Sequence, residues 1–304
     1  ISIFNNPHNT KRLKENTAKR YITLFSTIFC LYVGITLAVN ISMDPYSVFS
    51  DNDISKSIYT NERYKKQDAI LAKENFETII FGNSRYGVID PANFNNAYNA
   101  SYFSADVSDV KETIECIDKY NKLPKNVLLF IDPFMLSTGF KQEKISYKYH
   151  PKCTDELKAK FYLSYLFLPT SKLFLAPPEA KNLLFNFKTG MNTYTTRFKN
   201  YDDVVKTTQE RLAKHLVDDL FYVNDFLSDK GVNLLIASIP INNQFEYHFS
   251  KINNEYRNIL NSNKLDVLGD FSFVEVNEKD SYDEMHQTPS FFKDYIEEIQ
   301  RKAF

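Results

Sequence analysis

The chain has 304 residues, which is room for one domain of roughly 200–250 residues and additional segments. Its content of 43% hydrophobic and 25% charged residues is typical of a globular protein and excludes wholesale disorder. Its formal net charge of −1 argues against a general nucleic-acid-binding protein, because such proteins carry clustered positive charge.

The first predicted element is an apolar segment at 21–40. No charged residue occurs between Arg20 and Asp44, and the segment has about the 20 residues needed to cross a bilayer. Lysines and arginines crowd its N-terminal side, so the positive-inside rule predicts a cytoplasmic basic segment at 1–20 and an extracytoplasmic body. A cleaved signal peptide should have a shorter hydrophobic core of about 7–15 residues. A buried soluble helix should be apolar on one face, whereas this segment is apolar all round. We predict an uncleaved single-pass anchor in the cell membrane.

Beyond a polar juxtamembrane linker at 41–75, short apolar strands alternate with helical patterns in a predicted domain at 76–304. This alternation predicts an α/β fold in which helices cover both faces of a parallel sheet. Sites in such sheets form beyond the carboxyl ends of the strands. The predicted strands are Thr78–Phe81, Ala97–Ser101, Asn126–Asp132, Val232–Ser238 and Leu265–Phe271, and the predicted helices are Arg63–Glu74, Asp106–Asn121, Asp203–Asp229, Phe245–Asn261 and Pro289–Lys302.

The alternation breaks between about 135 and 200. This stretch is rich in Lys, Tyr and Phe, and it includes Pro169, Pro177 and Pro178. We interpret it as a helical insertion that packs over the site. A cap with no role beyond packing is an equally good interpretation.

A serine follows the first predicted strand in the motif Gly82-Asn83-Ser84-Arg85. A serine placed there lies at a sharp turn or a helix start, where backbone N–H groups can hold a developing oxyanion. An ordinary N-cap serine is the alternative, and the motif alone would favour it.

A second motif, Asp283-x-x-His286, stands near the C-terminus, before the last predicted helix. A carboxylate three residues before an imidazole can reach Nδ1 and leave Nε2 to face a serine. Ser84, His286 and Asp283 thus supply a nucleophile, a general base and a group that orients the base. A solvent-facing histidine before a helix is the alternative for His286. The other histidines lie in charged or tyrosine-rich polar stretches, or on the predicted cytoplasmic side, and are poorer candidates.

The three cysteines, Cys30, Cys116 and Cys153, show no regular spacing. Cys116 and Cys153 could pair, but an odd count without spacing does not make a disulfide framework, so free thiols are the expectation. His150-x-x-Cys153 offers two metal ligands without a partner pair, and no glycine-rich phosphate loop is present. The sequence therefore predicts neither a metal nor a cofactor.

The two motifs together resemble the SGNH (GDSL-like) hydrolase superfamily. The likeness is closest to its membrane-anchored bacterial branch, which includes the polysaccharide O-acetylation and DltD-type proteins. Members of that branch commonly have one N-terminal membrane helix, an Asp-Pro just outside it, and a strand that ends Gly-(Asn/Ser)-Ser-Arg. The resemblance implies a three-layer flavodoxin-like fold with Ser84, Asp283 and His286 as catalytic triad. It covers most of the chain from the anchor to His286 and is weak between Phe134 and Asn200.

The resemblance also implies an oxyanion hole, and the chain departs from the family there. The family has a glycine after the second strand and an asparagine after the third, whereas this chain has 99–104 without glycine and Asp132 instead of asparagine. A carboxylate at that place would repel an oxyanion unless it turned away or was protonated. The oxyanion donors expected here are the backbone N–H of Ser84 or Arg85, and Ser104. The Arg85 side chain could bind an anionic substrate group or form a structural ion pair.

The predicted function is acyl-group handling outside the cytoplasm, on a cell-envelope glycan or a related polymer, by a serine esterase or O-acyltransferase. The resemblance implies a multi-pass membrane acyltransferase as partner and acyl donor. Two other functions stay open. One is a catalytically weak binding or assembly subunit of an envelope acylation system, which the missing oxyanion asparagine favours. The other is a secreted-side esterase or lipase, which the apolar stretch between Tyr162 and Leu175 would suit.

Overall fold

A computed structural model of the chain describes residues 7–43, 62–73, 75–102, 105–137, 183–186, 188–194, 211–262, 264–269, 272–282 and 286–303. The chain divides into two compact units. One unit contains a single described helix, α1 (Pro7–Met43), and the other contains all the remaining described elements.

Helix α1 is the apolar segment that the sequence predicts, extended at both ends. Within it, Asn16–Ala38 has a mean hydropathy of 1.8 and is long and apolar enough to cross a membrane, although a signal sequence has the same character. Its large apolar side chains are exposed, Phe25 to 71% for example. The hydroxyls of Thr23 and Thr27 donate to carbonyls one turn earlier, at 2.9 Å each, so these polar groups are satisfied within the helix.

The second unit is an α/β domain, which confirms the predicted fold class. Its described strands are β1 Thr78–Phe81, β2 Ala97–Asn99, β3 Asn126–Phe130, β4 Leu183–Phe185, β5 Asn192–Tyr194, β6 Asn233–Ala237, β7 Ile241–Asn242, β8 Val267–Leu268 and β9 Phe273–Val274. Five of them form a parallel sheet in the order β2-β1-β3-β6-β8. This is the flavodoxin-like arrangement, in which the chain winds outward in both directions from its first strand.

Helices cover both faces of the sheet. The described helices of this unit are α2 Glu62–Ala72, α3 Val107–Lys119, α4 Lys214–Asp229, α5 Glu246–Phe249, α6 Asn253–Leu260 and α7 Pro289–Ala303. Successive strand residues point to opposite sides of a sheet. Accordingly, Ile79 and Phe81 join a hydrophobic cluster with side chains of α2, α3, α4 and α6, whereas Ile80 joins a second cluster with Phe292 and Ile296 of α7. The domain therefore has the three layers that the sequence predicts.

Three predicted elements differ from the structure. Of the helix predicted at Asp203–Asp229, residues 203–210 lie outside the described residues. The described helix begins at Lys214, because Leu212 pairs with Ser137 in an isolated β-bridge and so is extended. The helix predicted at Phe245–Asn261 is interrupted between α5 and α6 by a tight turn, in which the backbone N–H of residue 252 donates to the carbonyl of residue 249. Within the strand predicted at Leu265–Phe271, only the two residues of β8 are a strand among the residues that the structure describes.

The predicted insertion is described chiefly at 183–186 and 188–194, and there it is not helical. It is an antiparallel hairpin of β4 and β5 that docks on the carboxyl end of β2, where the Asn99 backbone N–H donates to the Thr189 carbonyl at 2.9 Å. Gly190 in its turn has a φ of +73°, and a Cβ there would clash with the Asn99 carbonyl. The turn therefore requires glycine. The search for helical periodicity does not detect such a requirement. The remainder of the insertion lies outside the described residues.

Candidate active site

Ser84 lies directly beyond the carboxyl end of β1, where a short 3-10 turn, Ser84–Tyr86, begins. Asn83 caps this turn: its side-chain Oδ1 accepts a hydrogen bond from the Arg85 backbone N–H at 3.1 Å. Gly82 lets the chain turn so sharply, because a Cβ there would lie 2.7 Å from the ring of Tyr86. The strand and turn thus hold Ser84 at the sheet edge where α/β proteins form their sites.

His286 contacts Ser84 across 202 positions of sequence: the distance from its Nε2 to the Ser84 Oγ is 3.0 Å. Both side chains are largely buried, with 5% exposure for His286 and 9% for Ser84. The serine–imidazole contact expected from the two motifs is therefore present at hydrogen-bond distance. With the imidazole neutral and Nε2 unprotonated, the serine hydroxyl donates to it, which is the arrangement that activates a serine.

Backbone pairing holds the segment around His286. The Tyr282 N–H donates to the His286 carbonyl at 2.7 Å, and Ser281 forms an antiparallel bridge with Gln287. The ring of Tyr194, from β5, lies 5.1 Å from the imidazole, centroid to centroid. The insertion therefore contributes one wall of the site through Tyr194, a residue that no sequence pattern singled out.

Asp283 and Ser104 lie outside the described residues. The role of Asp283 as the group that orients His286 stays a prediction, and so does the role of Ser104 as an oxyanion donor.

Asp132 follows β3, where the resemblance implies an asparagine, and its carboxylate is turned into the protein. Its Oδ1 caps the 3-10 turn Pro133–Leu136 by accepting hydrogen bonds from two backbone N–H groups of that turn, at 3.0 and 3.3 Å. Its Oδ2 accepts from the Asn83 amide at 2.8 Å and from the Arg85 Nη1 at 3.0 Å. The carboxylate is fully buried and its charge is compensated by a guanidinium, so the contacts that the structure shows for Asp132 are structural.

Arg85 is likewise turned into the protein. Its side chain is 2% exposed, and its guanidinium forms an ion pair with Asp132 and contacts Gln287 and the Pro240 carbonyl. The sequence left two roles open for the Arg85 side chain, a contact with an anionic substrate group and a structural ion pair. The structure shows the ion pair.

The backbone donors at this turn are not equivalent. The N–H of Arg85 is taken by the Asn83 side chain. Among the described residues nothing accepts a hydrogen bond from the Ser84 N–H. The Ser84 N–H is therefore the candidate oxyanion donor, as one of the two expectations from the sequence had it.

Replacing Asp132 by asparagine is expected to destabilise the protein by about 3 kcal/mol, because it leaves the buried Arg85 charge without its counter-ion. Urea unfolding of Asp132→Asn against wild type measures this loss. Asp219→Asn is the control, since the Asp219–Lys111 pair is partly exposed and should contribute below about 1 kcal/mol. Unchanged stability together with faster ester hydrolysis would return Asp132 to the oxyanion position.

A second buried ion pair, between two residues of α2, supports the site. Lys66 pairs with Glu62 at 2.9 Å and donates to the Ser101 carbonyl, and Glu62 accepts from the Asn192 amide at 2.6 Å. Burial lowers the pKa of the Lys66 ammonium, and the charge of Glu62 opposes that shift. Since the Asn192 backbone N–H also donates to the Gly87 carbonyl, α2 and β5 together support the 3-10 turn after β1.

Two tyrosines beneath the site are held in their neutral form. Burial, followed by the charge of Asp132, raises the pKa of Tyr86 well above its ordinary value, and burial likewise raises the pKa of Tyr256. Tyr256 donates to the Ile131 carbonyl at 2.9 Å, so it supports the end of β3.

Metal-ligating side chains do not cluster in the part of the chain that the structure describes: no group there of three or more His, Cys, Asp or Glu side chains could hold a metal ion. The expectation that the protein needs neither a metal nor a cofactor stays a prediction.

Cys116 corrects another expectation: it is disulfide-bonded rather than a free thiol, and its partner lies outside the described residues. Cys30, on α1, is free and exposed. Irregular cysteine spacing did not reveal the bond, because pairing depends on the distance between residues in the fold and not in the sequence.

No protein-family model matches the chain, and no curated protein matches it. One similar solved structure is an acetyl xylan esterase (Est2A) from the rumen bacterium Butyrivibrio proteoclasticus, with 10% sequence identity and a TM-score of 0.29. The match covers 76% of this chain and 64% of the esterase, so the chain spans less than two thirds of that protein. A TM-score this low does not establish a shared fold.

Proposed function

We propose that the protein is a membrane-anchored serine esterase or O-acyltransferase of SGNH type that acts outside the cytoplasm on an acylated cell-envelope glycan or related polymer. The observation that carries the proposal is the contact of 3.0 Å between the Ser84 Oγ and the His286 Nε2 at the carboxyl edge of a parallel sheet. A serine that is only an N-cap bonds the backbone of its own turn, whereas this serine bonds an imidazole 202 residues away.

In the proposed reaction Ser84 attacks the carbonyl carbon of an ester, and His286 takes the hydroxyl proton through Nε2. The Ser84 backbone N–H stabilises the oxyanion. Collapse of the tetrahedral intermediate releases the alcohol, to which His286 returns the proton, and leaves an acyl-Ser84 ester. A sugar hydroxyl or water then attacks that ester, and His286 takes and returns a second proton. Asp283, as predicted from the motif, orients the imidazole.

The proposed membrane location rests on α1 and on the charge to its N-terminal side. The lysines and arginines between Lys11 and Arg20 directly precede the apolar segment, and positive charge on that side favours a cytoplasmic N-terminus. The disulfide at Cys116 supports the outward orientation of the α/β domain, since disulfides persist in oxidising compartments and are rare in the cytosol.

A reporter enzyme fused after Phe304 tests this orientation. We expect an alkaline-phosphatase fusion, which needs an oxidising compartment, to be active and a fusion to a cytoplasm-only reporter to be silent. The reverse pattern would contradict the orientation and the envelope function with it. Fusions of the same reporters before residue 1 are the matched control and should give the opposite result.

A catalytically weak binding or assembly subunit is the second candidate. Two observations favour it: Asp132 occupies the place of the expected asparagine donor, and the Arg85 N–H is already bonded to Asn83. Among the described residues the turn therefore offers one backbone donor to an oxyanion, and loss of a single donor lowers kcat by about 10²–10³-fold in a serine hydrolase.

Turnover of an O-acetylated polysaccharide, with a small activated ester as reference substrate, tests the proposal. We expect the full chain in detergent to release or transfer acetate and to lose that activity in Ser84→Ala. Turnover of the small ester alone would favour a plain esterase or lipase. Absence of turnover on both, with unchanged envelope acylation in cells that carry Ser84→Ala, would favour the binding subunit.

A further inference from the structure

We infer that Arg85 and Gln287 are positioning residues that hold the Ser84 hydroxyl and the His286 imidazole in contact; this inference rests on the proposed function. Arg85 directly follows Ser84, and Gln287 directly follows His286. The Gln287 Oε1 accepts from the Arg85 Nε at 3.4 Å and from its Nη2 at 3.2 Å. Because neighbouring Cα atoms are about 3.8 Å apart, a fixed contact between these two side chains limits how far the two reacting groups can separate.

The guanidinium is a fixed anchor because separate segments of the chain hold it. Its Nη1 donates to Asp132, which follows β3, and its Nη2 donates to the Pro240 carbonyl, which follows β6, as well as to Gln287. Planar guanidinium groups hold such partners in one geometry, which a lysine ammonium does not. Arg85 thus joins the loops after β1, β3 and β6 at the edge where Ser84 lies.

Gln287 is fully buried, and the bridge between its residue and Ser281 fixes its backbone. Its amide Nε2 has no hydrogen-bond partner among the described residues, whereas its Oε1 accepts from Arg85. A buried donor without a partner is unfavourable, and an apolar side chain of similar size would avoid it. The contribution of the Gln287 amide at this position is therefore its contact with Arg85.

Because both side chains are buried, their positioning role is distinct from substrate binding. At 2% exposure for Arg85 and 0% for Gln287, neither side chain is placed to touch a substrate, so their effect on the reaction passes through Ser84 and His286. Misplacement of reacting groups by about 1 Å can lower a rate by about 10²-fold. We therefore expect loss of the contact to lower kcat and to leave KM nearly unchanged.

Gln287→Met tests the inference, with Gln67→Met as matched control. Gln67 is also a buried glutamine, 3% exposed, but its amide bonds Thr113 between α2 and α3. In the full chain in detergent, Gln287→Met should lower kcat for an activated ester by about 10–100-fold. Gln67→Met should lower the melting temperature and leave kcat at the wild-type value. Equal effects of the two variants on kcat would overturn the inference.

Arg85→Lys tests the other side of the contact. The substituted lysine keeps a charge opposite Asp132 but loses the fork to Gln287, so kcat should fall as in Gln287→Met. Arg63→Lys is the control, because Arg63 is a buried arginine whose ion pairs are with Asp109 and Glu112 of α3 and not with Gln287, and it should keep the wild-type kcat.

Combined and conservative variants distinguish positioning from general damage. The double variant of Arg85→Lys with Gln287→Met should be no slower than Arg85→Lys alone, because that substitution already removes the contact with Gln287. Gln287→Glu keeps the acceptor oxygen and should retain kcat near the wild-type value. Losses that multiply in the double variant, or a loss in Gln287→Glu as large as that in Gln287→Met, would contradict the inference.

Nitrogen-15 NMR of histidine-labelled protein gives a readout that needs no turnover. The His286 signals of Gln287→Met should move toward those of Ser84→Ala, which lacks the serine hydroxyl, and those of Gln67→Met should match wild type. His286 signals that stay at the wild-type position in Gln287→Met would overturn the positioning role. An inactive wild type in which these signals move as expected would contradict the proposed function and leave the positioning role standing.

Discussion

Ser84→Ala is expected to lower turnover of an activated ester by on the order of 10⁴-fold or more, because it removes the atom that forms the acyl-enzyme. The fold should be unchanged, since the Ser84 hydroxyl bonds His286 and the strand and turn around it are held by Gly82 and Asn83. Steady-state kinetics of the two proteins, with circular dichroism to compare their folding, measures the effect.

Ser238→Ala is the matched control for that substitution. Ser238 is also a buried serine, 1% exposed, and follows β6 at the same sheet edge, but its hydroxyl contacts Tyr256 at 3.3 Å. Its loss should leave turnover near the wild-type value. A similar loss of activity in both variants would indicate that Ser84→Ala acts by disturbing the fold and not by removing a nucleophile.

His286→Gln is expected to lower turnover by about 10²–10⁴-fold, because glutamine cannot accept the serine proton at neutral pH. The combined variant Ser84→Ala with His286→Gln should be no slower than Ser84→Ala, since residues that act as one unit are strongly non-additive. His215→Gln, at an exposed position on α4, is the control and should be fully active. Multiplied losses in the combined variant would show that Ser84 and His286 act independently and would contradict the dyad.

The fold is predictable because burial on both faces leaves a strong pattern in a parallel sheet. The predicted limits of β1 agree with the structure to the residue, and β2, β3 and β6 lie within their predicted limits. The hairpin of β4 and β5 is not predictable from periodicity. Its strands are three residues long and are stabilised by docking on Asn99. The spacing of residues in the sequence does not predict that contact.

The Ser84–His286 contact is predictable because each residue stands in a recognisable local motif at a sheet edge. For Gln287, the only signal in the sequence is its position directly after His286. Tyr194 leaves no signal, since it reaches the site from a distant hairpin.

The partners of Asp132 could not be predicted, because the sequence indicates its position after β3 but not which groups its carboxylate contacts. Its charge is compensated by Arg85, which follows a different strand, and the two side chains meet only in the folded sheet. A motif can place a carboxylate at a sheet edge without showing whether it faces the substrate or the core.

Covalent capture of Ser84 by a fluorophosphonate tests the central claim most directly. Such reagents react with a serine that a neighbouring base has activated and not with ordinary serines. Peptide mass spectrometry of the labelled full chain should find an adduct on Ser84 that is absent from Ser84→Ala and strongly reduced in His286→Gln. An unlabelled Ser84 in folded wild-type protein, or equal labelling in His286→Gln, would contradict the claim that His286 activates Ser84 as a nucleophile.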